Sequence, residues 1–124
     1  MNQKIKYQHK ELAAGRWAKL SLCEQMANIG SEVSRALNWQ NKGNKELCQK
    51  AAARSLELLD LSLDSAKSFP RIKEFARLRE AIADYFYGQN EFSSSEVLWR
   101  KYFDRFAYCL RKLHKQVPFT KPIG

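Results

Sequence analysis

The stretch SLCEQMANIGSEVSRAL, residues 21–37, carries both a helix start signal and a complete apolar stripe. Ser21 and Glu24 have the spacing of a capping box, in which each side chain accepts a hydrogen bond from the backbone N–H of the other residue. Apolar residues then recur at spacings of three and four, which is typical of one face of an α-helix. They are Leu22, Met26, Ile29, Val33 and Leu37. The stretch predicts an amphipathic helix that begins after Ser21 and ends before Gly43, a residue suited to the left-handed turn after a helix.

Similar signals mark a second and a third helix. Asn44 is a favoured N-cap, and the helical pattern that follows it fades near Ala66. Ser68 is the next candidate cap, and Pro70 falls in the first turn, where a missing backbone N–H costs nothing. Gly88 ends this third segment.

Ser93 and Glu96 form a second possible capping box, which opens a fourth helix that Pro118 ends. No apolar alternation indicates a strand. Short loops between helices of similar length favour antiparallel neighbours. The predicted fold class is therefore all-α, an antiparallel up-down-up-down four-helix bundle with an N-terminal basic arm. Gly30 lies inside the first helix, where Gly costs about 1 kcal/mol relative to Ala, and it predicts close approach of a neighbouring helix.

Three segments follow from this pattern. We predict an N-terminal basic arm over residues 1–20, the four-helix bundle over 21–117 and a C-terminal tail over 118–124. Trp17 is expected to pack onto the bundle or to remain exposed for base stacking, and Gly15 interrupts any long helix in the arm.

The positive charge is concentrated at the two ends of the chain. The formal net charge is +9. Residues 1–19 contribute +4, residues 20–98 contribute −1 and residues 99–124 contribute +6. In an up-down-up-down bundle both termini emerge at one end, which would then be a basic pole. Such a surface favours a polyanionic partner, RNA or DNA, over a small-molecule substrate.

The basic residues of the two termini are the candidate nucleic-acid-binding site. Cations in the last turn of a helix also complement the helix dipole, but that effect does not account for the cations placed earlier in the fourth helix. The candidates are Lys4, Lys6, Lys10, Arg16, Lys19, Arg100, Lys101, Arg105, Arg111, Lys112 and Lys115. Tyr7, Trp17 and Tyr108 would add base stacking if they are exposed.

Two other charged groups are interpreted as ordinary surface. Basic residues on the third helix interleave with acids, which is typical of a solvated face with pairs such as Arg77 to Glu80, so this row is left out of the site. The row consists of Arg71, Lys73, Arg77 and Arg79. Glu57, Asp60 and Asp64 lie at helical spacing on the second helix and are expected to pair with cations of a neighbour.

No pattern indicates catalysis, so we predict that the chain is not an enzyme. Cys23, Cys48 and Cys109 are odd in number and far apart, which argues against a disulfide framework and a zinc site and favours buried free thiols. Neither His9 nor His114 has the Glu-x-x-His spacing of a di-iron site. No metal ligand set, cofactor motif or nucleophile–base pair is visible, which leaves a nuclease as the weakest alternative.

The cysteine usage and the charged N-terminal sequence predict a cytoplasmic location. No apolar core of a signal peptide follows Met1, and no apolar run has the length of a membrane span, so we predict no membrane partner.

The sequence also resembles a known family. The run QMANIGSEVSRA over residues 25–36, then Asn44-Lys45-Glu46-Leu47 and an Ala- and Leu-rich second helix, are similar to the four-helix-bundle family of 23S rRNA intervening-sequence proteins and diversity-generating-retroelement accessory variability proteins. The resemblance covers residues 21–117. It implies a ring-forming homo-oligomer, pentameric in known members, that binds nucleic acid and partners a reverse transcriptase. It implies no catalytic residues.

Two functions from different classes remain open on these observations. The first is a non-enzymatic nucleic-acid-binding accessory protein that assists a reverse transcriptase or an RNA–protein complex. The second is an oligomeric protein-interaction or assembly subunit without nucleic-acid contact, because the fourth helix carries more aromatic residues than one stripe buries.

Overall fold

The computed structural model describes residues 15–115, and all regular secondary structure in that range is α-helical. A short helical segment over residues 15–18 precedes four long helices. The four are α1 (Leu22–Asn41), α2 (Lys45–Ser65), α3 (Phe69–Tyr87) and α4 (Glu96–Lys115). The predicted all-α class is confirmed. Most of the predicted basic arm and the whole C-terminal tail lie outside the described residues.

Side-chain caps begin the helices where the sequence predicts them. The Ser21 hydroxyl accepts from the Glu24 N–H at 3.1 Å, and the Glu24 carboxylate accepts from the Ser21 N–H at 2.8 Å, so the capping box before α1 is confirmed. Asn44 accepts from the Leu47 N–H to cap α2, and Ser68 caps α3 in the same way. These bonds satisfy backbone donors that a helix leaves without partners.

The start of α4 differs from the predicted capping box. Ser95, not Ser93, accepts from a first-turn amide, the N–H of Leu98 at 3.2 Å. Ser93 lies in the preceding loop with a positive φ of 55°. Asn90 explains the displacement, because its side chain bonds both the N–H and the carbonyl of Ser94 and folds the loop back on itself.

The core lies where the apolar faces of the helices meet. Met26, Ile29, Val33 and Leu37 of the predicted α1 stripe are almost completely buried. The buried face of α2 differs from the predicted leucine stripe, because small residues occupy most of it and allow close helix packing. Its members are Cys48, Ala51, Ala52, Ser55, Leu59 and Ser62.

Close packing joins α1 to α2, α1 to α4 and α2 to α3. Between α2 and α3, Arg79 pairs with Asp60 at 2.7 Å. The expected pairing of the α2 acids with a neighbouring helix is thus confirmed at Asp60. Within the described residues, α3 and α4 are packed less closely than these pairs, and a groove opens between them.

The segment before α1 is attached to the core through Trp17. The Trp17 side chain is buried, and its indole N–H donates to the Ser62 hydroxyl at 2.8 Å. Gln25 donates from its side-chain amide to the Trp17 carbonyl at 3.0 Å. The packing alternative for Trp17 is therefore confirmed, and the base-stacking role is wrong because the ring is not available to a ligand.

Two of the three cysteines contradict the prediction of free thiols. Cys23 on α1 and Cys109 on α4 form a disulfide with a Cα–Cα distance of 6.2 Å. Their separation of 86 residues has no local signature in the sequence, since only the packing of α1 against α4 brings the two side chains together. Cys48 is a buried free thiol, as predicted. The disulfide removes the support that cysteine usage gave to a reducing compartment.

Candidate nucleic-acid interface

The disulfide brings two of the predicted basic stretches to one end of the molecule. Lys19 lies four residues before Cys23, and Arg111 and Lys112 lie just after Cys109. Because the two cysteines are bonded, these cations lie at the same end of the molecule although they are far apart in the chain. Arg16, Lys19, Arg111 and Lys112 are all exposed.

The loop between α2 and α3 adds two cations that the sequence analysis missed. Ala18 and residues 20–22 line one cavity together with residues 65–67, Arg71 and Phe75, so the α2–α3 loop lies beside the start of α1. Lys67 and Arg71 are exposed there. Arg71 had been assigned to a solvated row and Lys67 had not been considered. The predicted up-down-up-down path would put the second loop at the end where the chain begins, so this signal was available in the sequence.

We call this surface the basic end. It consists of Arg16, Lys19, Lys67, Arg71, Arg111 and Lys112. Within residues 15–115, no carboxylate lies within ion-pair distance of any of these six side chains. Among the described acids, Asp64 lies three residues before Lys67, and Glu74 lies three residues after Arg71 but is bonded to Tyr102 and Arg105. Glu24, five residues after Lys19, is occupied in capping α1. Among residues 15–115, these cations therefore have no acidic partner that would compete with phosphate groups.

Tyr108 provides an aromatic ring close to these cations. Its side chain is 60% exposed, and it lies one helical turn before Arg111 and Lys112 on α4. An exposed ring beside cations suits stacking of an unpaired base. Tyr7, the other predicted stacking residue apart from Trp17, lies outside the described residues.

Arg100 was a predicted binding residue, but its guanidinium is occupied within the protein. It donates to the Glu96 carboxylate at 2.9 Å, the Ser34 hydroxyl at 3.0 Å and the Asn38 side-chain carbonyl at 2.9 Å. The two last acceptors belong to α1, so Arg100 connects α4 to α1. The hydrogen bond from Arg100 also lowers the pKa of Glu96, with a further contribution from Asn41.

Arg105 and Lys101 lie away from the basic end. Arg105 is placed over the rings of Tyr102 and Phe106, at 4.6 and 4.8 Å from their centroids, and pairs with Glu74 at 3.4 Å. Lys101 lines the groove between α3 and α4. The structure thus divides the predicted binding residues of α4 between separate surfaces.

The structure does not describe the side chains of the remaining predicted cations. Lys4, Lys6 and Lys10 precede residue 15, and Lys115 is the last residue of α4, with its side chain outside the described part. The basic end is therefore defined by six residues, of which four were predicted.

The predicted basic row of α3 does not behave as one solvated face. Arg79 pairs across to Asp60 of α2, and Arg77 lines the α3–α4 groove. No ion pair joins Arg77 to Glu80 among the described residues. A helix that packs on one side and borders a groove on the other divides its cations between two environments.

The described residues offer little for catalysis. No group of three or more His, Cys, Asp or Glu side chains in residues 15–115 is arranged to hold a metal ion. Burial raises the pKa of the Cys48 thiol, which disfavours the reactive thiolate. Burial, followed by the adjacent Glu74 carboxylate, raises the pKa of Tyr102 well above its ordinary value.

Most of the aromatic residues of α4 that its predicted stripe could not bury pack against the core of the protein. Trp99 and Phe103 are buried, and Tyr102 and Phe106 are half-buried against the core. The apolar residues of α4 that remain largely exposed are Val97, Leu98 and Tyr108.

Comparisons with models of protein families, with curated proteins and with solved structures give no match to this chain. Among the described helices, none is both long and apolar enough to cross a membrane.

Proposed function

We propose that this chain is a non-enzymatic nucleic-acid-binding accessory protein that contacts the phosphate backbone of RNA or DNA through its basic end. The observation that carries the proposal is the convergence of six exposed cations from three parts of the chain, without ion-pair partners among the described residues. Phosphate contacts by such cations release counterions and produce binding that weakens steeply with salt.

The proposal includes an antiparallel up-down-up-down bundle as the scaffold of this surface. The contacts between α1 and α4 support it: Cys23 meets Cys109, whereas Asn41, at the other end of α1, donates to Glu96 at the start of α4. The pairs of α2 and α3 follow the same order, because Arg79 meets Asp60 and the Tyr87 hydroxyl donates to the Gln49 carbonyl.

The resemblance to the rRNA intervening-sequence and retroelement accessory proteins extends the proposal. On that basis the chain forms a ring-shaped homo-oligomer and assists a reverse transcriptase or RNA–protein complex. Exposed Val97 on α4 is compatible with an interface between subunits. Light scattering that finds a monomer at high concentration would remove the oligomer from the proposal.

Binding to labelled RNA and DNA, single- and double-stranded, across a salt series tests the function. The informative variant is the double charge reversal Arg71→Glu with Lys112→Glu. Its matched control is Lys42→Glu with Lys45→Glu, on the loop between α1 and α2. Each pair of reversals takes the net charge from +9 to +5, so the two variants differ only in where the charge is lost.

We expect the variant at the basic end to bind more weakly at every salt concentration than the control. On B-DNA, the loss of two phosphate contacts lowers the slope of log affinity against log salt by about 1.8. If the two variants lost equal affinity for RNA and DNA, the effect would be due to net charge alone. That result would contradict the assignment of binding to the basic end. Absent binding by the wild-type protein at low salt would favour the assembly-subunit alternative.

A further inference from the structure

The groove between α3 and α4 is a second surface with features of a binding site. Its volume is about 760 Å³. One wall is formed by α3 residues spaced three or four apart, and the other by residues from the first two turns of α4. The α3 wall holds Pro70, Lys73, Arg77 and Ala81, and the α4 wall holds Leu98, Lys101 and Tyr102. The groove is separate from the six residues of the basic end.

The lining of the groove is largely apolar. Leu78 and Trp99 line it and are buried, whereas Leu98 is 55% exposed. Leaving a leucine half in water forfeits part of the roughly 1.5–3 kcal/mol that complete burial of such a side chain provides. A ligand that covers Leu98 would recover part of that free energy.

Trp99 adds an unsatisfied polar group at this groove. Trp99 is only 5% exposed to solvent, and its indole nitrogen has no hydrogen-bond partner within the described residues. The indole of Trp17, by contrast, donates to Ser62. A buried donor without an acceptor costs about 1–3 kcal/mol. Trp99 lines both this groove and the smaller cavity between α1 and α4, so a ligand that brings an acceptor to the indole nitrogen would recover part of that cost.

The walls of the groove carry positive charge. Lys73, Arg77 and Lys101 are exposed, and no carboxylate of the described chain lies within ion-pair distance of them. Glu74 also lines the groove, but it accepts from the Tyr102 hydroxyl at 2.7 Å and pairs with Arg105. The available charge at the groove is therefore cationic.

Charge and shape together limit the occupant. A second copy docking symmetrically through this groove would bring the same three cations face to face, which is unfavourable. The α3 wall runs from residue 70 to residue 81, about 16 Å at 1.5 Å per residue, or three turns of helix. The groove has an apolar base between charged walls, which fits a helix with one apolar face. Such a helix inserts apolar side chains spaced three or four residues apart into the groove.

We propose that the α3–α4 groove docks an acidic amphipathic helix of a partner protein. The apolar face of that helix covers Leu98 and Trp99, and its carboxylates meet Lys73, Arg77 and Lys101. This site is independent of the nucleic-acid function proposed for the basic end, and each can fail without the other.

The test uses two synthetic helical peptides of about five turns, which overhang the three-turn groove at both ends. Both carry leucines at the anchor positions; the flanking positions are all glutamate in one peptide and all lysine in the other. Binding of each labelled peptide is measured by fluorescence anisotropy. The informative protein variant is Lys73→Glu with Arg77→Glu, and the control is again Lys42→Glu with Lys45→Glu.

We expect the glutamate peptide to bind the wild-type protein and the control, and to lose roughly tenfold or more in affinity with the groove variant, because like charges then face each other. The lysine peptide should show the reverse preference. Binding of RNA and DNA by the groove variant should follow that of the control, since neither reversed residue belongs to the basic end.

The indole N–H signals in a proton–nitrogen NMR spectrum locate the peptide. The Trp99 signal should shift on addition of the glutamate peptide, and the Trp17 signal, whose donor is already bonded, should stay in place. An unchanged Trp17 signal and helical circular dichroism in the groove variant show that it is folded. The proposal would be overturned if the glutamate peptide did not bind, or if it bound the groove variant as tightly as the wild-type protein. It would also be overturned if the peptide displaced bound RNA without shifting the Trp99 signal.

Discussion

The two sides of α4 differ in how they meet their neighbouring helices. Toward α1, Phe103 packs against Gly30, Cys109 is bonded to Cys23, and Arg100 donates to Ser34 and Asn38. Toward α3, Tyr102 and Arg105 bond to Glu74, the Tyr85 ring meets the Trp99 ring edge-on at 6.1 Å between centroids, and a groove lies beside these contacts. The seam with α1 holds a cavity of about 260 Å³, whereas the groove on the α3 side measures about 760 Å³. We call the more tightly packed α1 side the closed seam and the α3 side the open seam.

Side-chain size and charge account for the difference. Gly30 has no side chain, so the Phe103 ring occupies the space where a Cβ would be, 2.7 Å from the nearest ring atom. The facing positions of α3 instead carry Lys73 and Arg77, which line the groove and are exposed, so their charged ends remain in water. A closed seam supplies stability, and an open seam leaves a surface for a ligand.

The largest expected contrast comes from truncating one apolar side chain on each seam. Phe103→Ala should lower the free energy of unfolding by about 3–5 kcal/mol, because it opens a cavity against α1. Leu98→Ala, the matched change on the exposed side, should alter it by less than about 0.5 kcal/mol. Urea unfolding followed by circular dichroism measures both, and similar losses would contradict the distinction between the seams.

Removal of the disulfide tests the closed seam by a different route. Cys23→Ser with Cys109→Ser should cost about 2–4 kcal/mol, since the bond closes a loop of 86 residues in the unfolded chain. Reduction of the wild-type protein should have the same effect and should leave the double variant unchanged. If reduction does not affect stability, α1 and α4 are held together by packing and by the hydrogen bonds of Arg100 and Asn41.

A methyl group at residue 30 tests the close approach directly. Gly30→Ala gains about 1 kcal/mol in helix propensity but forces Phe103 to move, which costs about 1–3 kcal/mol. We expect a net loss near 1 kcal/mol by these estimates. Ser31→Ala, at the adjacent exposed position, controls for propensity and should be neutral or slightly stabilising. A stabilised Gly30→Ala protein would show that the seam can open without cost.

The sequence predicted the elements of this fold better than their contacts. The capping box at Ser21 and the close approach at Gly30 were both predicted, because each is a local signal with one physical cause. The disulfide and the burial of Trp17 against Ser62 depend on residues far apart in the chain, and no periodicity reveals them.

The candidate site was predicted in part for the same reason. Clustering of cations along the chain revealed Arg111 and Lys112, whereas Lys67 and Arg71 join them only through the path of the chain between α2 and α3. Arg100 shows the opposite error, because charge alone does not tell a surface cation from one that is bonded on three sides. The open seam could not be predicted, since it depends on the spacing between two helices.

The smallest expected effect concerns the hydrogen bond that crosses the open seam. Tyr102→Phe removes the bond to Glu74 and should cost about 1 kcal/mol or less at neutral pH, since Glu74 is partly in water.

The pKa of Tyr102 is raised in the folded protein, so the neutral hydroxyl is favoured on folding. Its contribution is complete below the unfolded pKa near 10 and is lost as the pH rises toward the higher folded value. The stability advantage of wild type over Tyr102→Phe should therefore shrink between pH 9 and pH 11, a range of about one unit on each side of the unfolded pKa. Urea unfolding of both proteins across that range measures the difference in the free energy of unfolding. If that difference stayed constant with pH, the hydroxyl would contribute by packing alone, and its hydrogen bond would not support the α3 side of α4.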